Sequence, residues 1–202
     1  MIETQSETAR PHHHGNLRAA LIDAGLTLLA NEGLSGLTLR RAAAAAGVSH
    51  AAPAHHFDGL PGLLTAIAAR AFQLFADQME AARAIAPPDA IGQLQGICDG
   101  YLAFAAGHAA LFQLMFNSPS LNRCDRDLMA QSSRSYQVLR AACQPFAKDD
   151  APDETLETAV WSLVHGYALL GFSDPAPAGG AQRIIPEFDR LLATLIKGHQ
   201  AD

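Results

Sequence analysis

Cysteine, basic charge and long apolar runs are all scarce in this chain. Only three cysteines occur in 202 residues, Cys98, Cys124 and Cys143, with no CxxC pair, so neither a disulfide framework nor a zinc site is expected. No uninterrupted apolar run reaches the roughly 18 residues of a membrane helix. The opening Met1-Ile-Glu3-Thr-Gln-Ser-Glu7 carries acids where a signal peptide carries positive charge, so no membrane association and a cytoplasmic location are expected. Lysine and arginine total 14 against 20 acids, a net charge of −6, which excludes a broad basic field for nucleic acid. No GxSxG elbow, phosphate-cradling Gly-Lys-Ser loop or telling Cys-His spacing is present. A helical di-iron enzyme needs Glu-x-x-His pairs, but Ala105 and Ser162 stand three residues before His108 and His165. Catalysis therefore has no candidate residues, and no cofactor or metal is expected. Strand-like alternation, internal repeats and low-complexity tracts are also missing.

What is there is helical periodicity. Leu17, Leu21, Ala24 and Leu28 follow Asn16, a good N-cap, and Gly33 closes that pattern, predicting a first helix near 17–31. A longer pattern begins near Pro61 and carries Leu64, Ile67, Ala71, Leu74 and Phe75 to a stop at Pro87-Pro88. Further helices are predicted from Ile91 to Phe104, interrupted at Gly107-His108, from Leu111 to Phe116, and over 120–146. A helix capped by Asp153 and a last one over 184–196 complete the chain. The class is all-α, with an N-terminal module over 1–60 and a helical body over 61–202.

Residues 38–57 carry the sharpest signal. Thr38 and Ser49 are each suited to cap a short helix, and Gly47 between them can take a positive φ at no steric cost. Ala43 is small enough for close packing of the two helices, the layout of a DNA-reading helix-turn-helix. Pro53 falls near the first turn of the second helix, where a missing amide costs least, so that helix is expected to survive in shortened form. Residues 1–60 hold four arginines against five acids, so binding must rest on a few placed contacts rather than on bulk charge. The candidates are Thr38, Arg40, Arg41, Ser49, His50, Ala51, His55 and His56. Six of the nine histidines, including His12, His13 and His14, fall in this segment, and histidine as a type titrates near neutrality. Three adjacent histidines cannot all face one ion from a helix or strand, so His12–His14 read as an arm near DNA rather than a metal site.

In the body, Phe104, His108, Phe112, Met115, Phe116, Trp161 and His165 form the candidate ligand-binding set. Trp161 and His165 lie one helical turn apart on one face. A buried imidazole needs a partner, which water or a bound effector could supply. The apolar surfaces of 154–171 and 184–196 exceed what one protomer buries, which predicts a homodimer through the last two helices, with Leu192 and Leu195 in the interface.

With Ala46-Gly47-Val48-Ser49 at the turn and His56-Phe57 after it, the chain resembles the tetracycline-repressor family of bacterial transcription regulators. Pro11-His-His13-His14-Gly15-Asn16-Leu17-Arg18, Tyr101 to Phe116 and Trp161-x-x-x-His165-Gly166 resemble the branch whose C-terminal domain is named for its Trp-His-Gly motif. That resemblance implies a dimeric repressor on palindromic double-stranded DNA, released by a small-molecule effector of unknown identity. It also implies two missing phosphate contacts, since the family tends to place a tyrosine where Ala54 stands and a lysine where Leu60 stands. A constitutive DNA-binding or architectural protein is the alternative, and a helical enzyme a weaker one.

Overall fold

A computed structural model of the protein describes residues 17–147, 154–171 and 186–201. Asn16, the His12–His14 run, Asp153, Phe172, Ile184 and Ile185 lie outside the described residues. The helices are α1 (Leu17–Glu32), α2 (Leu39–Ala45), α3 (Gly59–Ile85), α4 (Ala90–Gly107), α5 (Ala109–Asn117), α6 (Arg126–Cys143), α7 (Glu154–Leu169) and α8 (Phe188–Ala201). Short 3-10 turns at Leu34–Gly36, Ala52–His55 and Gln144–Phe146 join them, and no strand occurs among the described residues. The all-α class holds.

Everything is organised on α3. Leu63, Ile67, Ala71, Phe75 and Met79 are buried along it, with α4 and α6 as its main partners and α1 against its first half. By length and composition alone α3 could cross a membrane, yet 61% of its most apolar stretch is buried inside the fold, as befits the central helix of a bundle. The close approach of α3 and α4 depends on Gly96 and Gly100, which fall on one face of α4. A Cβ on Gly100 would sit 2.7 Å from the Met79 Cα, and one on Gly96 would sit 2.6 Å from the Ala86 Cβ. The end of α3 is held by Gln93, whose amide donates to the Arg83 carbonyl (3.2 Å) and the Pro87 carbonyl (3.0 Å) where the prolines stop the helix.

Asp89 caps α4 and Asp125 caps α6, each accepting from the amide three residues on at 2.9 Å. The helix expected over 120–146 therefore starts only at Arg126. Residues 118–125 form a loop, tied to α3 where the Asn122 amide donates to the Thr65 hydroxyl at 3.0 Å. At the far end α8 lays Phe188, Leu192 and Ile196 against its own protomer. Leu192 is wholly buried there, so it is a core residue rather than a dimer contact, whereas Leu195 is only half-buried.

Candidate functional site

The reading surface is built as the residues dictate. Thr38 is extended and its hydroxyl accepts from the Arg41 amide at 3.2 Å, starting α2. The helix ends in a paired closure: the Val48 amide donates to Ala43 (3.0 Å) and the Gly47 amide to Ala44 (3.1 Å), with Gly47 at φ 71°. Ala42 and Ala43 are fully buried, so α2 sits tightly on the core, and Phe57 is buried with the Arg18 guanidinium 5.6 Å above its ring.

The second half of the motif is shorter than an α-helix. After Ser49 the chain makes a single 3-10 turn, Ala52–His55, opened at Ala51 without a side-chain cap. In an α-helix starting at Ser49, residue 53 would have to donate to the Ser49 carbonyl. Pro53 has no N–H, and the Ala52 amide takes that carbonyl instead at 3.0 Å. Ser49 is thus not the cap the spacing suggests. Pro53 packs inward while Ser49, His50, Ala51, His55 and His56 remain exposed, as do Thr38, Arg40 and Arg41.

Arg41 is nonetheless not a free cation. Both of its terminal nitrogens donate to the Glu32 carboxylate, and one also reaches the Gly36 carbonyl at 2.8 Å. This bidentate pair holds the Glu32 carboxyl below, and the Arg41 guanidinium above, their ordinary values. Arg40 is the cation of this surface left without a carboxylate in the described structure.

In the body a cavity of about 210 Å³ opens between α3, α4, α6 and α7. Phe72, Phe75 and Met79 of α3, Tyr101, Phe116, Leu139 and Trp161 give it an aromatic wall. Phe75 meets Tyr101 edge-on with ring centres 4.7 Å apart, and Tyr136 leans on Trp161 at 5.7 Å. At the back the Tyr101 hydroxyl and Nδ1 of His165 share a hydrogen bond at 2.6 Å. Burial lowers the His165 pKa, which favours the neutral ring. Burial also pushes the Tyr101 phenol well above its ordinary value, with the nearby Trp161 indole acting in the opposite direction. Behind Tyr136 lies Glu157, a buried carboxylate that accepts the Tyr136 proton and faces Arg140 Nε at 3.4 Å. That hydrogen bond, ahead of burial, raises the Tyr136 pKa to about 12.

Of the seven expected ligand residues, Phe116 and Trp161 line this cavity. Phe104 and Met115 are fully buried core, Phe112 is buried against the His165 ring at 5.4 Å, and His108 is exposed over Phe104 at the break between α4 and α5. In the described structure Nδ1 of His165 is hydrogen-bonded to Tyr101. The periodicity marks Tyr101, Tyr136 and Leu139 only as helix positions, and nothing in the sequence signals Arg123, Ser132 or Ser135, because they converge from a loop and one face of α6. Among the described residues no group of His, Cys, Asp or Glu could hold a metal ion.

Residues 94–195 match the family model described as "Tetracyclin repressor-like, C-terminal domain". The chain belongs to the tetracycline-repressor family. Like its family, it is a DNA-binding transcriptional regulator and not an enzyme. Among solved structures it is similar to a protein of unknown function from Rhodococcus sp. RHA1, at 25% identity and a TM-score of 0.71, covering 96% of this chain and 98% of that one. It shares the fold of the multidrug binding protein EbrR complexed with imidazole, at 20% identity and a TM-score of 0.61, covering 90% and 93% of the two chains. The regulator LfrR from Mycobacterium smegmatis, in complex with proflavine, is similar at 20% identity and a TM-score of 0.57, covering 91% and 96%. No curated protein matches the chain in sequence. For this regulator the body helices, α4 to α8, are the part the family model recognises, and the reading turn lies ahead of it.

Proposed function

We propose that this regulator is a cytoplasmic homodimeric repressor that leaves a palindromic operator when a small molecule enters the body cavity. Residues 1–60 read the DNA and 61–202 sense the effector and dimerise. One observation carries the reading: α3 begins at Gly59, directly after the reading turn, and its Phe72, Phe75 and Met79 wall the cavity. A ligand that repositions α3 therefore moves the reading turn, and only the difference in ligand affinity between the two arrangements drives the shift. The imidazole and proflavine held by EbrR and LfrR support a small-molecule effector. The Trp161-x-x-x-His165-Gly166 run supports the branch named for that motif.

On the DNA side Arg40, Thr38, Ser49, His50, Ala51, His55 and His56 make the contacts, with Arg41 orienting α2 through Glu32 rather than meeting phosphate. Sequencing the genomic fragments the protein retains, then adding metabolite mixtures to the bound fragments, tests both halves. Retention with release supports the reading; retention that no mixture relieves points to a constitutive DNA-binding protein, and no retained fragment overturns it. Dimerisation is assigned to α7 and α8, where Leu163 and Leu195 are half-buried and Leu169 and Leu170 exposed. Arginine at Leu163 and Leu195 should yield folded monomers in sedimentation.

A further inference from the structure

We infer that the body cavity selects an apolar ring system bearing one acidic group, and that Arg123 is the residue that reads the acid. This rests on the cavity being the effector site. Six polar side chains line it, and, Arg123 aside, four of them are already hydrogen-bonded within the protein. The Tyr101 hydroxyl shares a hydrogen bond with Nδ1 of His165 at 2.6 Å. The Tyr136 hydroxyl is taken by Glu157, Ser135 donates to the Ser132 carbonyl at 2.7 Å, and Ser132 to the Met129 carbonyl at 3.1 Å. A ligand that needed donors deep in the cavity would have to break these bonds, so the body of the ligand is apolar and stacks on Phe72, Phe75 and Phe116.

Arg123 differs. It stands exposed at the rim, on the loop between α5 and α6, with Nη1 donating to the Met115 carbonyl at 3.0 Å and Nη2 to the Ser118 carbonyl at 3.5 Å. A guanidinium carries five N–H donors, so these two neutral acceptors leave donors and the full charge unanswered. Among the described residues no carboxylate pairs with it. Three acids of this region are already matched: Glu157 faces Arg140 at 3.4 Å, while Asp77 and Glu80 each hold Arg134 at 2.8 Å. The cavity is thus an aromatic slot with a pre-positioned cationic fork at its mouth, a geometry that suits a carboxylate. A volume of about 210 Å³ lies below the ~300–1,000 Å³ of sites for drug-sized ligands, which suits one or two rings.

Calorimetric titration of the full chain with 2-naphthoate, 2-naphthylmethanol and 2-naphthylmethylamine at neutral pH tests this. The carboxylate should bind about tenfold tighter than the alcohol, and the ammonium weakest, as expected for one charge-assisted contact. Arg123→Gln should bring the carboxylate down to the level of the alcohol while leaving the alcohol unchanged, and Arg123→Lys should keep part of the preference. Equal binding of carboxylate and alcohol, tightest binding of the ammonium, or a preference that survives Arg123→Gln overturns the inference but leaves the cavity as a binding site. Binding of none of the three overturns the cavity reading itself.

Discussion

The reading turn and the body cavity handle their polar groups in opposite ways. Around Gly47, side chains that can donate or accept stand exposed, and the fold beneath them is made of alanines small enough to bury completely, Ala42 and Ala43. In the cavity the hydroxyls are turned onto His165, onto Glu157 and onto backbone carbonyls. A surface meant for a hydrated, charged polymer can leave its donors to water until the polymer arrives. A partly enclosed space cannot, because an unpartnered buried donor costs about 1–3 kcal/mol. The same chemistry that silences the cavity's polar groups makes it selective for apolar ligands.

The sharpest way to break this comparison is on the body side alone. Gly100→Val drives a branched side chain into the Met79 backbone, 2.7 Å from where its Cβ would sit, and should cost about 3 kcal/mol in chemical denaturation, because α3 and α4 must part. Gly47→Ala on the reading side meets no neighbour and should cost only about 1–2 kcal/mol, from the positive φ alone. A larger loss at Gly47 than at Gly100 would show that the reading module, not the α3–α4 contact, limits stability.

Next in size, His165→Phe keeps the ring volume but strands the Tyr101 hydroxyl, which is buried. Stability should fall by about 1–3 kcal/mol while operator affinity is retained. An unchanged melting curve would mean that the hydroxyl has found another acceptor.

A finer effect separates the two neighbouring arginines. Arg40→Ala should lower the slope of log affinity against log salt by roughly 0.9, the loss of one phosphate contact, whereas Arg41→Ala should leave it unchanged because Glu32 already neutralises that cation. Equal slopes for the two variants would sink the distinction.

The smallest effect is on pH. His165 has a folded pKa lowered by burial, so the unfolded chain takes up the proton first. The stability contribution of the neutral ring is present above the unfolded value of about 6.5 and fades as pH falls below it, ending once the folded protein also protonates. The melting temperature should therefore decline below about pH 6.5, and less steeply in His165→Phe.

Much of the local architecture is legible in the residues. Gly33, Gly47 and the double proline act through their own backbone and Thr38 through a hydroxyl three residues from its partner, so the ends of α1, α2 and α3 follow from sequence within about two residues. Where the structure differs from the local reading, the cause is shared. The 3-10 turn at Ala52–His55 depends on which amide reaches the Ser49 carbonyl first, so Pro53 replaces the expected helix rather than shortening it. Phe104 and Met115 look like ligand contacts because apolar periodicity cannot tell a cavity wall from solid core. Leu192 looks like an interface residue for the same reason, since an apolar stripe does not say whether its own protomer or a second copy covers it.

By itself, then, the sequence determined the all-α class, the helix order and the helix-turn-helix layout, because caps, turns and 3.6-residue periodicity act over a few residues of chain. Only the tertiary structure decided that Arg41 answers Glu32, that Tyr101 holds His165, and that Arg123 stands at the mouth of an aromatic cavity. Those pairings join residues 9, 64 and more positions apart, or bring a loop against three helices. Their partners are chosen by how the helices pack, which no local pattern encodes.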